Sequence, residues 1–297
     1  MSQSESPDHN HIQYYLPSND AAEFDRLEDQ AIAYNELMSQ KIVHAPLHEP
    51  QKILEVGCGT GNVCRQLAQQ YPEATVLGVD ITPVPPFANT PPNISYIKGD
   101  IKQVASSDPR LISGDLDYIY ERLLISGMTS WPSHIRKMAA LLRSGGYLEM
   151  HEAACRWYKC SSASPLVPHD DDHEISADWP WWATVLRGAE QLGLDFDIGC
   201  NAQRYMRDAG LVDVVVKRYV VPLGTWLAGE RPETRSLGAQ QGESLREVFM
   251  DHVLPGVTRG LGIAAEDMRR MREESRRCLE NGEGKYWYFY VTVGRKV

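Results

Sequence analysis

The sequence of 297 residues lacks the features that mark membrane, secreted and disulfide-rich proteins. No apolar run approaches the roughly 20 residues that a membrane-spanning helix needs. The polar, acidic start of the chain resembles neither a signal peptide nor a transit peptide. The six cysteines form no Cys-x-x-Cys pair and are too sparse for a disulfide scaffold. We therefore expect a protein of a reducing compartment, cytoplasmic or nuclear, without membrane contact.

Basic residues are also scarce. Lys and Arg number 30 against 40 Asp and Glu, which gives a formal charge of −10. Binding to nucleic acid phosphates needs a basic face, so we expect no nucleic acid partner. The nine histidines form neither a His-Glu-x-x-His motif nor a Cys/His zinc spacing. No metal site is predicted, and His169 and His173, which lie in an acidic stretch, are interpreted as part of a solvated loop.

The first half of the chain alternates short apolar segments with helical patterns. Short buried strands are predicted at residues 52–56, 75–80, 94–98, 116–120 and 147–150. Strands that alternate with helices indicate βαβ units and a parallel sheet with helices on both faces. Two β-prone segments near the end, residues 212–221 and 286–293, predict an antiparallel pair that closes one edge. The expected fold class is therefore α/β, with a seven-stranded, mostly parallel sheet.

The pattern predicts one domain after a disordered lead-in at residues 1–13. Within residues 14–297, an apolar stripe at helical spacing marks residues 14–46 as an N-terminal helical cap. The strand-rich core covers residues 51–152. Residues 153–297 are less regular, and we expect them to supply a lid insertion, substrate-side helices and the closing strands.

A glycine-rich turn, EVGCGTG at residues 55–61, separates the first predicted strand from a helix. Such a turn at the edge of an open parallel sheet brings backbone close to a ligand, and glycine alone allows that approach. Asp80 ends the second predicted strand and is followed by Ile81. A carboxylate there can bind both hydroxyls of a ribose. These features fit any cofactor that contains adenosine.

The spacing of the glycines discriminates among adenosine cofactors. A dinucleotide site needs G-x-G-x-x-G, but the sixth position is Asn62 when counted from Gly57 and Cys64 when counted from Gly59. Glu55 would repel a pyrophosphate, whereas it can help to hold a cationic amino group. No G-x-x-x-x-G-K-[S/T] sequence is present, which excludes a P-loop.

The turn that begins at Glu55, the acidic Asp80 and the sequence Gly99-Asp100-Ile101 after the third strand occur in this order. Together they resemble class I S-adenosylmethionine-dependent methyltransferases. The resemblance implies a Rossmann-like fold and S-adenosylmethionine as the cofactor. It also implies that Asp80 binds the ribose and that Asp100 and Ile101 cover the adenine. The methionine moiety would be held by the loop residues Gly57, Cys58, Gly59 and Gly61.

Further motifs extend over most of the chain: YLP at 15–17 with ND at 19–20, DRL at 25–27 with Gln30, PPN at 91–93, ER at 121–122, SWP at 130–132, GGYLE at 145–149 and PLGTW at 222–226. They resemble the LaeA-like methyltransferases of filamentous fungi. Several members of that family belong to secondary-metabolite pathways, and one branch regulates such pathways. The resemblance places Tyr15 and Gln30 near the cofactor. His151 stands where Gln is expected, and Cys58 where Thr is frequent.

The resemblance implies methyl transfer to an O, N or S nucleophile of a small molecule. Two alternatives stay open. One is a LaeA-type regulatory protein that acts through partners, and the other is an enzyme that binds S-adenosylmethionine but catalyses a cyclisation or rearrangement.

Charged residues come directly after two predicted strands. Glu121 and Arg122 follow the fourth strand, at the edge where ligands bind in open α/β sheets. We predict that they contact cofactor or substrate, with a surface ion pair as the alternative. His151 and Glu152 follow the fifth strand, where either could take a proton from a substrate hydroxyl or amine. A hydrogen-bonded structural pair is the equal alternative for these two.

The tryptophans of the second half could line an aromatic substrate pocket. They are Trp179, Trp181, Trp182 and Trp226. Burial of helices against the sheet would explain most of them equally well.

Overall fold

The computed structural model describes residues 21–87, 89–160, 168–242 and 249–297, and its centre is one mixed sheet. The strands are β1 (Lys52–Val56), β2 (Thr75–Asp80), β3 (Ile94–Lys98), β4 (Leu116–Arg122), β5 (Leu142–Lys159), β6 (His173–Glu174), β7 (Leu211–Pro222) and β8 (Lys285–Lys296). They lie in the order β3-β2-β1-β4-β5-β8-β7, and β6 pairs with β5. The pairs among β1 to β5 are parallel, while β8 runs antiparallel to both of its neighbours.

The helices are α1 (Ala21–Leu37), α2 (Asn62–Gln70), α3 (Ile101–Ser107), α4 (Trp131–Leu141), α5 (Pro180–Gln191), α6 (Ile198–Asp208), α7 (Arg235–Gly242), α8 (Leu254–Thr258) and α9 (Ala265–Leu279). Helices cover both faces of the sheet. Two neighbouring residues of β8 show this, because successive side chains of a strand point to opposite faces. The ring of Phe289 packs against Tyr34 of α1 at 4.4 Å. The hydroxyl of Tyr290 lies 3.2 Å from the Cys200 sulfur of α6.

This arrangement confirms the predicted α/β class, the mostly parallel sheet and the antiparallel pair at one edge. The structure adds the two-residue strand β6. The strands predicted at residues 52–56, 75–80 and 94–98 have the predicted bounds.

The predicted end of the fifth strand was wrong. β5 continues to Lys159, because the 12-residue strand β8 keeps pairing with it beyond His151, where the parallel register with β4 stops. His151 and Glu152 therefore lie within β5 and do not follow it. In the same way, Glu121 and Arg122 are the last two residues of β4.

The apolar stripe of the N-terminal segment extends beyond its helix. α1 ends at Leu37, because Ser39 and Gln40 adopt positive φ angles of 54° and 62°. The stripe residues Met38 and Ile42 are nevertheless buried in the core. The segment behind the helix thus packs on the sheet in a non-helical conformation.

Some predictions concern residues outside those described. The lead-in at residues 1–13 and Tyr15 are among them. Phe249–Val253 form a π-helical turn that α8 continues. The division into cap, core and lid stays a prediction. Among the described residues, no helix is both long enough and apolar enough to cross a bilayer.

Candidate active site

A cavity of about 770 Å³ lies at the carboxyl ends of β1, β2 and β4, beneath α1. That volume is in the range of roughly 300–1,000 Å³ that is usual for small-molecule sites. One part, called the polar end here, is lined by Glu55, residues 57–59, Asp80, Ile81, Asp100 and Ile101. The other part, the aromatic end, is lined by Ala153, Trp157, Trp182, Phe196, Phe249 and Trp287. Arg122, at the end of β4, also lines the cavity, and β4 lies between the strands of the two ends in the sheet.

The glycine turn of the polar end is held between β1 and β2 by hydrogen bonds. The Gly57 N–H donates to the Val79 carbonyl at 2.8 Å, and the Gly59 N–H donates to Asp80 Oδ2 at 2.8 Å. Gly57 and Gly59 have positive φ angles of 69° and 53°. A Cβ at Gly57 would also overlap the Leu124 side chain. The turn therefore needs glycine for its conformation and for close packing.

Asp80 braces this turn and lines the cavity as well. Its Oδ1 accepts from the N–H and the hydroxyl of Thr82, both at 2.8 Å. A carboxylate oxygen has two acceptor sites, so Oδ1 is fully used, while Oδ2, which accepts only from Gly59, can accept a further hydrogen bond from a ligand hydroxyl. The side chain of Asp100 caps α3 by accepting from the Lys102 N–H at 2.8 Å.

Two charged groups, one buried and one partly buried, line the cavity near the turn. Glu55 is only 4% exposed, and its Oε2 has no hydrogen-bond partner among the described residues. Burial raises its pKa to about 7, with an opposing hydrogen bond from Cys64. The Nη1 atom of Arg122 likewise has no partner within the described part of the chain, and its guanidinium lies 6.0 Å from the Tyr34 ring centre. Neither group is neutralised by an ion pair in the described structure, so each is available to a charged ligand.

Most of the predicted cofactor residues come together at this cavity. Its lining includes Gln30, Glu55, Gly57, Cys58, Gly59, Asp80, Ile81, Asp100, Ile101 and Arg122. Gly61 does not line it. A Cβ at Gly61 would overlap the Tyr96 hydroxyl, and the residue precedes α2 with a positive φ of 74°. Contact of these residues with a cofactor remains a prediction.

Glu121 faces away from the cavity. Adjacent residues of a strand point to opposite faces, so Glu121 lies on the other side from Arg122. Its carboxylate is fully buried, with Oε1 2.6 Å from Nε2 of His134 on α4. The alternative of a surface pair is therefore wrong, and the geometry gives Glu121 no contact with a ligand in the cavity.

Glu152 lies on the same side of the sheet as Glu121 and does not line the cavity. It is 1% exposed, and its Oε1 accepts from the backbone N–H of Leu124 at 2.8 Å. Burial and the neighbouring Glu121 carboxylate raise its pKa well above the usual range. Glu152 thus holds the segment that borders the cavity behind β4.

His151 is fully buried in a polar network beneath α1. Its Nε2 lies 2.6 Å from Glu149 Oε1, and its Nδ1 lies 3.2 Å from the Tyr120 hydroxyl. Burial lowers its pKa, against the effect of the Glu149 hydrogen bond. Neither predicted base borders the cavity, and the interpretation as hydrogen-bonded structural residues describes both positions.

Sequence reasoning missed the centre of that network, which is Glu149. Its carboxylate accepts from the backbone N–H groups of His44 and Ala45 at 2.8–3.0 Å and lies 3.1 Å from His44 Nδ1. The hydrogen bonds from the two histidines outweigh its burial and lower its pKa to about 2. His44 Nε2 lies 2.7 Å from the Tyr219 hydroxyl. The signal in the sequence was a single carboxylate inside an otherwise apolar strand.

The ligand atoms of His44, Glu149 and His151 lie within 4.8 Å of one another. The hydrogen bonds already described engage these atoms, so the cluster is a structural network. The loop histidines are elsewhere: His169 donates its backbone N–H to Asp172, and the exposed His173 lies 3.2 Å from Asp178. Of the four tryptophans considered for a pocket, Trp182 lines the cavity.

The profile described as a methyltransferase domain matches residues 30–214. This chain belongs to that family. The predicted resemblance is thereby confirmed, and S-adenosylmethionine is the cofactor of this domain.

The relatives include fungal proteins named as a methyltransferase and as regulators of secondary metabolism. The chain is 27% identical over 223 residues to the methyltransferase pytC of Aspergillus terreus, which covers 73% of this chain and 63% of pytC. It is 27% identical over 208 residues to the secondary metabolism regulator laeA of Coprinopsis cinerea, and the match covers 65% of this chain and 48% of that protein. The chain thus spans between about half and two thirds of these relatives' length.

Among solved structures, the chain is similar to a sarcosine dimethylglycine methyltransferase from Galdieria sulphuraria. The TM-score is 0.47 at 13% identity, over 96% of this chain and 94% of the other.

Proposed function

We propose that this protein transfers a methyl group from S-adenosylmethionine to an O, N or S nucleophile of a small molecule in fungal secondary-metabolite biosynthesis. The family and the cavity support the transfer, and the relatives named as regulators of secondary metabolism support the pathway class. The formal charge of −10 favours a small molecule over a nucleic acid as the acceptor.

The observation that carries the proposal is the pair Glu55 and Arg122, which line the cavity and each have a buried terminal atom without a hydrogen-bond partner among the described residues. The amino-acid part of S-adenosylmethionine has an ammonium and a carboxylate on one carbon. Glu55 would hold the ammonium and Arg122 the carboxylate, since guanidinium groups bind carboxylates in two parallel hydrogen bonds. Asp80 Oδ2 would then accept from a ribose hydroxyl, as its free acceptor site allows.

The residues of this chain contribute mainly position. When bound, S-adenosylmethionine supplies a methyl group already activated on a sulfonium. Alignment of an acceptor against such a group is the principal source of rate that the protein must provide. α1 and the segment 123–128 line the cavity together with Arg122 and help to exclude water. A base is needed only for an acceptor that is protonated at working pH, and His151 and Glu152 are not placed to act as one.

The test is calorimetric titration with S-adenosylhomocysteine. Asp80→Ala removes the ribose contact and also the brace of the turn, so we expect affinity to fall about 10- to 100-fold. Gly59→Val should abolish binding, because a β-branched residue is strained at its φ of 53° and crowds the ligand. Asp213→Ala removes an exposed ion pair with Arg295 and is the matched control. Unchanged affinity in both site variants, with unchanged circular dichroism spectra, would overturn the proposal.

The second candidate is a regulator of secondary metabolism, which the name of the laeA relatives favours. A regulator could keep the polar end while using no small acceptor. Release of S-adenosylhomocysteine in the presence of small acceptors separates the two, because methyl transfer generates it stoichiometrically. The same assay separates methyl transfer from a rearrangement, since an enzyme that binds the cofactor but catalyses a rearrangement releases none.

A further inference from the structure

We infer that the aromatic end of the cavity binds the methyl acceptor and selects an uncharged, planar aromatic compound. This inference rests on the proposed function, because it assigns the polar end to the cofactor. It goes further by naming the chemical class of the acceptor.

The first argument is the surface that this end presents. Its rings come from separate parts of the chain: Trp157 from β5, Trp182 from α5, Phe196 from the following loop, Phe249 from the π-helical turn and Trp287 from β8. Trp182 stacks on Phe196 with ring centres 6.1 Å apart and 21° between the planes. It also contacts Phe249 at 5.8 Å. A flat aromatic ligand can extend such a set of packed rings by offset-stacked or edge-to-face contacts.

The second argument is charge. The remaining residues of this end are Ala153, Cys155, Gln241 and Val253, and none of its described lining residues is charged. Burial raises the pKa of the Cys155 thiol to about 12, so this group is neutral at physiological pH. A charged ligand would lose its hydration here and gain no counter-ion from the residues of this end. The charged residues that line the cavity lie elsewhere: Glu55, Asp80, Asp100 and Lys102 at or next to the polar end, Arg122 at the end of β4, and Glu23 and Arg26, which form an ion pair with each other, on α1.

The third argument is the small number of polar atoms. Trp287 Nε1 and Gln241 Oε1 have no hydrogen-bond partner in the part of the chain that the structure describes. Trp287 is 7% exposed and Gln241 is 5% exposed. An aromatic compound with a hydroxyl or keto substituent offers the complementary acceptor and donor groups. The site thus matches an aromatic ring system that has few polar substituents.

The position of Ala153 makes the inference testable. Its methyl group lies on the same sheet face as Phe289 and borders the cavity on β5, away from the polar end. Replacement by leucine would fill the aromatic end and leave Glu55 and Asp80 untouched. Ala183, which is exposed on α5, provides the same substitution outside the cavity.

The experiment measures binding of three probes to the full chain saturated with S-adenosylhomocysteine. They are 2-naphthol (planar and neutral), 2-naphthoate (planar and charged) and 2-decalol (neutral but not planar). We expect 2-naphthol to bind at least about tenfold more tightly than either of the others. Ala153→Leu should weaken 2-naphthol about tenfold or more, because the added atoms occupy its space. Ala183→Leu should have no effect.

Phe249→Leu removes an aromatic ring but replaces it with an apolar side chain of similar volume. It is the second test variant, to be used if Ala153→Leu does not fold. We expect it to weaken 2-naphthol about two- to tenfold, the worth of an aromatic contact. In both variants the affinity for S-adenosylhomocysteine should stay within about twofold of wild type, because the two ends share no side chain.

Two results would overturn the inference while the proposed function stands. One is 2-naphthoate or 2-decalol binding as tightly as 2-naphthol, or no binding of 2-naphthol at all, to protein that holds S-adenosylhomocysteine. The other is unchanged 2-naphthol affinity in the folded variants. Failure of wild-type protein to bind S-adenosylhomocysteine would instead refute the proposed function itself.

Discussion

The two ends of the cavity are built in different ways. The polar end comes from residues 55–59, 80–81 and 100–101, which follow adjacent strands of one parallel sheet. The aromatic end takes one or two side chains from each of several segments between residues 153 and 287. Backbone geometry therefore fixes the polar end locally, whereas tertiary packing has to assemble the aromatic end. A family of such domains can keep one cofactor and change acceptors by changing packing residues alone.

The two ends also differ in what their residues contribute to stability. Trp182 and Phe249 are members of the main hydrophobic core, so the aromatic end is part of what holds the fold together. At the polar end, Glu55 is buried, and one of its oxygens has no partner in the part of the chain that the structure describes, which costs stability in the absence of a ligand. A group that lowers the stability of the ligand-free fold is expected at a functional site, where binding of the ligand requires it.

The largest expected effect comes from a residue that serves both ends. Glu149 binds the backbone of His44 and Ala45 and thereby fixes the segment behind α1, a helix that lines the cavity. In Glu149→Gln, one carboxylate oxygen is replaced by an NH2 group. The N–H groups that now bind two oxygens would have one oxygen left, and the new NH2 group cannot accept a hydrogen bond from them. At about 1–3 kcal/mol for each unpaired donor, we expect the free energy of unfolding to fall by about 2–5 kcal/mol.

Urea denaturation measures that loss, and Asp213→Asn is the control, since exposed ion pairs contribute only about 0–1 kcal/mol. Affinities for S-adenosylhomocysteine and 2-naphthol should both fall, because α1 covers the cavity as a whole. If only one of the two affinities changed, the Glu149 network would support only that end of the cavity and not both.

Much of the polar end could be predicted from the sequence, because each of its parts is a short motif with a local cause. The glycine turn, Asp80 and Asp100 each follow a strand whose bounds the apolar pattern gives. Their meeting at one edge then follows from the parallel order of the strands.

The extent of β5, the burial of the predicted bases and the makeup of the aromatic end could not be predicted, because they depend on contacts between residues that are distant in the sequence. β5 extends past His151 only because β8, more than a hundred residues later, pairs with it. That pairing buries His151 and Glu152, so their position near an apparent strand end was misleading. Glu121 could have been separated from Arg122 by the alternation of side chains in a strand, a rule that applies wherever the strand continues. Which tryptophans face the cavity was open until the helices were placed.

The next largest effect should be confined to the polar end. Gly57→Val imposes a side chain at a φ of 69° and drives its Cβ into Leu124. Gly114 has a similar φ of 75° with open space around it, so Gly114→Val measures the conformational cost alone. We expect about 1–2 kcal/mol for Gly114→Val and about 1–3 kcal/mol more for Gly57→Val.

Only Gly57→Val should lose S-adenosylhomocysteine binding, while 2-naphthol affinity measured without that ligand stays near wild type in both variants. Thermal unfolding and calorimetry provide the measurements. Equal destabilisation of the two variants would show that the overlap with Leu124 relaxes, and that close packing is not what the turn requires.

The smallest effect, and the one that tests the cost of the polar end directly, is pH-dependent. Burial raises the pKa of Glu55 to about 7, above its ordinary value of 4.5. Between these values the folded state binds a proton that the unfolded state has released, so stability falls as pH rises. Glu55→Gln removes this dependence. At pH 8 we expect the ligand-free variant to be about 1–3 kcal/mol more stable than wild type, with little difference near pH 4.5.

The affinity for S-adenosylhomocysteine should move in the opposite direction. The ammonium of the ligand favours charged Glu55, so wild-type affinity rises as pH increases from 5.5 to about 7, and the variant lacks this rise. Urea denaturation and calorimetry over that range measure both quantities on the same proteins. A variant that is less stable than wild type at pH 8 would show that Glu55 is a structural group. A variant that gains stability and loses affinity would show that the fold keeps this carboxylate for its ligand, unlike the aromatic side chains at the other end.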